Sequence, residues 1–239
     1  MTVIGIIPVR YNSSRFPGKP LKNILGKSMI RRVYERAKLS ELKRVIVATD
    51  DKRIIDEVRS FDGEVMMTSS EHISGTDRCF EVAQKIANTN DIIINIQGDE
   101  PFIEPNQINQ LIYAFEDKEV GIVTLCKRIE NIDTLVDSNQ PKVKFNENKK
   151  AISFDRVINT PFEDDIFYKH IGIYAYRFNF LEKTCNLKPS SLEIKYKLEQ
   201  WRWLENGYKI HVLETVYDTF SVDTPEDLKK IIKKFGDSN

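Results

Sequence analysis

The sequence has no long hydrophobic run, little cysteine and no surplus of either charge, and each lack closes a class of function. No stretch approaches the roughly 18 apolar residues of a membrane-spanning helix. The apolar start, residues 3–7, is too short for the core of a signal peptide and runs straight into Pro8 and Arg10. Three cysteines, Cys79, Cys126 and Cys185, are odd in number and far apart in 239 residues. That excludes a disulfide framework and a zinc site and points to a reducing compartment. The 36 basic side chains balance 36 acidic ones, so no global field favours nucleic acid or an anionic membrane, and any anion must be held by a local cluster. The ten glycines form neither the Walker loop G-x-x-x-x-G-K-[ST] nor the dinucleotide fingerprint G-x-G-x-x-G. No Ser/His/Asp or Cys/His arrangement is evident. These absences describe a soluble, cytoplasmic protein with no nucleic-acid or membrane partner.

A chain that is 41% hydrophobic can bury a full core. The first half alternates short apolar runs with helical periodicity. Strands are predicted at 3–7, 44–48, 64–67 and 91–96, and helices at 28–39, 52–59, 76–87 and 105–115. Ser28 reads as an N-cap, and Ser74 with Asp77 as a capping box. Strand and helix alternating four times imply a parallel sheet with right-handed crossovers, whose ligands sit beyond the carboxyl ends of the strands. The second half is less regular. Strands are predicted at 120–126, 168–176 and 210–217, and a β-hairpin at 142–145 and 151–154. A helix is predicted from Ser190 to Asn206, stopped by Gly207, and a last helix is capped by Thr224 with Pro225 at its first position. With no repeat, low-complexity stretch or Gly/Ser linker, residues 1–239 read as one domain with a hairpin insertion at about 141–156.

The unusual polar segments fall at strand ends. Pro8-Val9-Arg10-Tyr11-Asn12-Ser13-Ser14-Arg15-Phe16-Pro17-Gly18-Lys19-Pro20 follows the first strand. The spacing of Arg10, Arg15 and Lys19 fits a triphosphate better than a lone phosphate; a solvated loop is the plain alternative. Gln97-Gly98-Asp99-Glu100-Pro101 follows the fourth strand, where a carboxylate beside a glycine suits a magnesium ligand or merely shapes a turn. Asp223 offers a second carboxylate, although an Asp beside a helix N-terminus is stabilised by the dipole alone. Together these pieces describe a nucleotidyl-transfer site in which Arg10 and Lys19 stabilise departing pyrophosphate. Ser74 through Arg78 opens a helix that could face a base or ribose, or could be a plain cap. Alternation puts His170 and Tyr174 on one strand face. Glu199 and Gln200 could bind hydroxyls or lie on a solvated helix face.

Seven blocks in order resemble 3-deoxy-manno-octulosonate cytidylyltransferases, the CMP-Kdo synthetases. They are Ile7-Pro8-Val9-Arg10-Tyr11 through Phe16-Pro17-Gly18-Lys19-Pro20-Leu21, Val47-Ala48-Thr49-Asp50-Asp51, and the segments 74–78, 95–101, 170–176, 198–200 and 222–228. The resemblance implies a GT-A-like α/β nucleotidyltransferase fold with a mostly parallel central sheet flanked by helices. It implies a Mg²⁺-dependent transfer of CMP from CTP to the anomeric 2-hydroxyl of 3-deoxy-D-manno-octulosonate (Kdo), for lipopolysaccharide synthesis. It implies a homodimer, with the 141–156 hairpin as dimerisation element. By position Arg10, Ser13, Ser14, Arg15 and Lys19 hold the triphosphate and Ser74 and Arg78 the nucleoside. Asp99 and Asp223 are the implied magnesium ligands, while Gln97, His170, Tyr174, Glu199 and Gln200 line the sugar pocket. Two positions depart from the family pattern. Val9 stands where Ala is usual. Ser153-Phe154-Asp155-Arg156 stands where the family reads Tyr-Phe-Ser-Arg; Arg156 is expected to pair with the sugar carboxylate, and Asp155 beside it opens the choice of sugar acid to 8-amino-Kdo or a sialic acid.

Two other classes compete. A GT-A glycosyltransferase would carry an Asp-x-Asp metal motif after a central strand, and Gln97-Gly98-Asp99-Glu100-Pro101 has none. A non-catalytic nucleotide sensor would not need two metal carboxylates together with the cationic loop.

Overall fold

The computed structural model describes residues 1–12, 15–158 and 166–236. The first half gives β1 (Val3–Val9), a ribbon of β2 (Asn23–Ile24) and β3 (Lys27–Ser28), α1 (Met29–Lys38), β4 (Arg44–Thr49), α2 (Lys52–Ser60), β5 (Val65–Met67), α3 (Gly75–Ile86) and β6 (Ile92–Asn95). The second gives α4 (Pro105–Tyr113), β7 (Ile122–Arg128), α5 (Asp133–Val136), β8 (Lys142–Phe145), β9 (Ala151–Asp155) and β10 (Tyr168–Arg177). After these come α6 (Phe178–Cys185), α7 (Ser191–Tyr196), α8 (Gln200–Glu205), β11 (Ile210–Glu214) and α9 (Pro225–Gly236). Among the described residues no helix is long and apolar enough to cross a membrane.

The main sheet runs β11-β7-β10-β6-β1-β4-β5. β10 is antiparallel to both its neighbours, β6 and β7, and the remaining pairs along this path are parallel. The β8–β9 hairpin branches from β10 through the pair Lys169–Lys142. Isoleucines and valines cover both faces of the central strands, as a sheet with helices on both sides requires. Ile7, Val47 and Ile94 pack with α1, α2 and α4 on one side, and Ile4, Ile6 and Ile93 pack with α3, α6 and α8 on the other. A smaller cluster joins Phe16, Ile24, Met29, Val222 and Ile231. It pins the loop after β1 to the start of α9, two segments about 200 residues apart in sequence.

Several predicted boundaries move, among them β7, which runs two residues later than predicted, and three others bear on the fold. β1 continues through Pro8 to Val9, with Pro8 paired to Ala48 of β4. Ile6 accepts from Ile96 N–H on the β6 side. Pro8, two residues on, turns its missing N–H to that same side, beyond the last paired residue of β6, so no ladder bond is lost. The predicted 190–206 helix is two helices. Lys197 sits in the left-handed region (φ 54) and closes α7, its N–H donating to Glu193 O at 2.7 Å. β11 ends at Glu214 rather than at residue 217. The helices α5 and α6, the latter with Leu181 and Thr184 as its buried face, were not predicted.

Candidate active site

The loop after β1, the turn after β6 and the N-terminus of α9 converge at the carboxyl edge of the sheet. Gly18 takes φ +68, which a side chain would strain, and turns the loop into a short 3-10 segment beginning at Lys19. Lys19 Nζ then donates to Asp99 Oδ2 at 2.9 Å and reaches Asp223 Oδ1 at 3.4 Å. Arg15 meets the same Asp223 oxygen at 3.0 Å. Asp99 is held from behind, its carbonyl accepting from Val222 N–H at 2.9 Å. Asp223 is set by the cap of α9, its N–H donating to the Asp227 carboxylate at 3.1 Å. Gly98 packs the turn against β1: a Cβ there would lie 2.1 Å from Val9 Cγ1. Its small size therefore serves strand packing as well as access to the cavity it lines.

Two cavities meet at this point. The smaller, about 240 Å³, is lined by Arg10, Lys19, Ser74, Arg78 and Asp99 among others. Ser74 caps α3 in a full capping box with Asp77. Arg78 is buried, 3% exposed, and donates to Asp50 at 3.0 Å and to the Thr68 hydroxyl. Both predicted nucleoside residues thus reach the cavity, but Ser74 Oγ and the Arg78 guanidinium already have protein partners. Ser13 and Ser14 lie outside the described residues.

The larger cleft, about 840 Å³, brings Gln97, His170, Tyr174, Glu199 and Gln200 together as predicted. It shares Arg15, Gly75, Gln97 and Asp223 with the smaller cavity. Gln97 Nε2 donates to Gly172 O at 2.9 Å. His170 is buried against Phe154 and Tyr174 and contacts Thr124 Oγ1 at 3.0 Å. Burial pulls its pKa down to about 3, so the ring is neutral at physiological pH. Gln200 Nε2 donates to the Tyr174 hydroxyl, whose pKa burial raises well above its ordinary value. Glu199 accepts from Thr76 Oγ1 at 2.6 Å, and burial raises its carboxyl. The left-handed turn at Lys197 follows α7 and lies two residues before Glu199 and three before Gln200.

Three residues of this cleft escaped the sequence reading as site residues. Asn95, Glu100 and Lys169 also line it. Asn95 Oδ1, Glu100 Oε2 and Gln200 Oε1 are buried with no protein partner, an arrangement that suits a ligand rich in hydroxyl donors. Burial, with Asp99 next to it, pushes the Glu100 carboxyl up to about 8. Asn95 had a signal in sequence, as the one polar residue of an apolar strand.

Arg156 and Asp155 are corrected. The Arg156 guanidinium donates to Tyr196 O at 2.9 Å, Ser138 O at 3.0 Å and Lys197 O at 2.7 Å, and it does not line the large cleft. The carbonyls at the end of α7 are open acceptors, and the arginine fork fills them. Asp155 accepts from Ser153 Oγ at 2.9 Å and lines a separate cavity beside the hairpin. Its charge therefore does not face the cleft, and the sequence argument that it alters the choice of sugar falls away.

Among the described residues no group of three or more His, Cys, Asp or Glu forms a closed metal cage. Asp99 and Asp223 stand apart from that pattern as an open pair, 29% and 32% exposed, held by one ammonium where the two cavities join. Two carboxylates facing open space fit a hard cation whose other ligands are phosphate and water.

The sequence profile of the Cytidylyltransferase family matches residues 4–210. The chain is 49% identical to the 3-deoxy-manno-octulosonate cytidylyltransferase of Parabacteroides distasonis, covering 97% of each chain. It is 48% identical to that of Cytophaga hutchinsonii, over 97% of this chain and 96% of the other. A solved structure of CMP:2-keto-3-deoxy-manno-octonic acid synthetase complexed with CTP superposes with a TM-score of 0.94 at 38% identity, covering all of both chains.

Proposed function

The chain belongs to the 3-deoxy-manno-octulosonate cytidylyltransferase family, and from that premise we propose that it transfers CMP from CTP to the anomeric 2-hydroxyl of Kdo, releasing pyrophosphate and giving CMP-Kdo for the lipopolysaccharide inner core. The observation that carries this reading is the junction of two cavities at Asp223, one lined by Arg10, Arg15, Lys19 and Arg78, one roomy and lined by buried side-chain oxygens without protein partners.

In this reading CTP occupies the smaller cavity. Arg10, Arg15 and Lys19 hold its phosphates, with Ser13 and Ser14 in the same loop, and Ser74 and Arg78 border the nucleoside. Kdo occupies the larger cleft, against Gln97, His170, Tyr174, Glu199 and Gln200. Asp99 and Asp223 would hold Mg²⁺, whose chemistry there would be to polarise the α-phosphate and ease deprotonation of the attacking hydroxyl. The protein's own part is positional. It brings two bound reactants together at the shared wall of their cavities, and Lys19 offsets negative charge as pyrophosphate leaves. The neutral His170 serves as a hydrogen-bonding wall rather than as a proton shuttle.

The activity resides in one domain spanning 1–239, and the working form is a homodimer built on the β8–β9 hairpin. Supporting the dimer, Ile132, Val136, Ile152, Val157 and Ile166 are exposed on the hairpin and on the segments flanking it in sequence.

The experiment is pyrophosphate release by the purified protein with CTP, Mg²⁺ and, separately, Kdo, 8-amino-Kdo and N-acetylneuraminate. Release with Kdo well above the others is expected. Release with another acid alone would move the substrate, and release with none would leave only nucleotide binding.

A further inference from the structure

A sugar acid brings a carboxylate into the large cleft, and the arginine expected to meet it is occupied elsewhere. Among the described residues, three cations line that cleft: Arg15, Lys169 and Lys230. Arg15 is exposed and paired with Asp223. Lys230 lies on the exposed side of α9. Lys169 differs from both, being half-buried on β10 immediately before His170.

The surroundings of Lys169 leave its charge only partly compensated. Among the described residues it forms no ion pair within 4 Å, although Asp218 and Glu100 face it at longer range and Lys127 opposes it. The Asp218 carboxylate is taken by Lys127 at 2.7 Å. A half-buried ammonium with only such longer-range counter-charge has lost part of its hydration without gaining a direct partner. An anion arriving in the cleft would supply it.

We propose that Lys169 binds the carboxylate of the sugar acid and so selects acids over neutral sugars of the same size. The inference rests on the cytidylyltransferase reading above. Its chemistry is a charge-assisted hydrogen bond from Nζ to a carboxylate oxygen, in a cleft where the remaining wall offers mainly hydroxyl-directed groups.

The test is steady-state kinetics of Lys169→Met and Lys169→Arg, using whichever acid of the panel the wild type turns over. Lys169→Met should raise KM for the acid roughly 10- to 100-fold, the size of one charge-assisted hydrogen bond, and leave KM for CTP unchanged. Lys169→Arg should recover most of the loss. Kdo methyl ester, which lacks the charge, should be used equally poorly by wild type and Lys169→Met. CTP binding and the thermal midpoint of Lys169→Met report whether the fold is intact. An unchanged KM for the acid, or equal losses for the acid and its ester, would overturn the proposal. A wild type active on no acid would instead remove the cytidylyltransferase reading, and this inference with it.

Discussion

At the scale of single residues, Asp99, Asp223 and Lys19 form a unit whose members have different tasks. On the proposed reading, replacing either Asp by Asn takes a carboxylate from the magnesium site while preserving shape, and should lower kcat by roughly 10³-fold or more at saturating Mg²⁺. Circular dichroism should remain that of the wild type. Near-normal rates in both variants would remove the metal assignment. Lys19→Met should instead weaken CTP far more than the sugar acid, because the ammonium lines the smaller cavity, proposed for CTP, and is absent from the lining of the larger cleft. Equal effects on both substrates would mean that the loop serves another purpose. His170 makes a prediction about pH. Its folded pKa of about 3 lies below the unfolded value near 6.5, so the unfolded chain takes up a proton that the native protein refuses. Stability from this group is complete above pH 6.5 and falls as pH drops from 6.5 toward 3, by up to about 1.4 kcal/mol per pH unit. Urea midpoints of wild type and His170→Phe should diverge over that range, and the His170 ring should show no NMR titration above pH 4. The polar residues of the site were legible because they sit at strand ends. Arg156 was not, since sequence shows that an arginine is present and not which carbonyls a helix end leaves open.

At the scale of elements, the cap of α9 does more than start a helix. Thr224 Oγ1 and the N–H groups of Asp223 and Thr224 all donate to Asp227, at 2.9, 3.1 and 3.0 Å, and Asp227 N–H returns a bond to Thr224 Oγ1 at 3.2 Å. The residue that presents a carboxylate to Lys19 is thus fixed by a capping network. Thr224→Ala should cost about 1 kcal/mol of stability, measured in urea, and should lower kcat several-fold by loosening Asp223. A stability loss with unchanged kcat would mean that the cap does not position the carboxylate. The cap was readable from Thr224-Pro225-Glu226-Asp227 because capping is a local hydrogen-bond pattern. The break at Lys197 was not. Lysine has no preference for the left-handed region, and the chain adopts it for a tertiary reason: Leu198 and Gln200 become buried while Lys197 remains exposed. The antiparallel direction of β10 is of the same kind, since an apolar run carries no mark of its direction.

At the scale of the whole molecule, the outstanding question is what covers the hairpin. Lys142 of β8 is almost fully buried, and its ammonium donates to Asp137 O at 2.7 Å and Arg156 O at 2.8 Å. Ile158 N–H donates to Leu135 O at 2.9 Å. Hydrogen bonds therefore tie the hairpin, α5 and the segment after β9 together, although Ile132, Val136, Ile152 and Val157 in these segments are exposed. Segments tied together in this way and carrying exposed aliphatics suit a self-complementary face, and in a two-fold dimer each such residue is buried twice. Burying one isoleucine contributes about 1.5–3 kcal/mol. Ile152→Asp, counted on both copies, should then weaken the dimer by roughly 10²- to 10⁴-fold. Sedimentation velocity across a protein dilution series should show the wild type as a dimer at micromolar concentration and the variant as a monomer. The thermal midpoint of the isolated variant separates a lost interface from a lost fold, because Ile152 is half exposed in the single chain and the core does not depend on it. A wild type that sediments as a monomer at all concentrations would leave these aliphatics as a surface with another purpose.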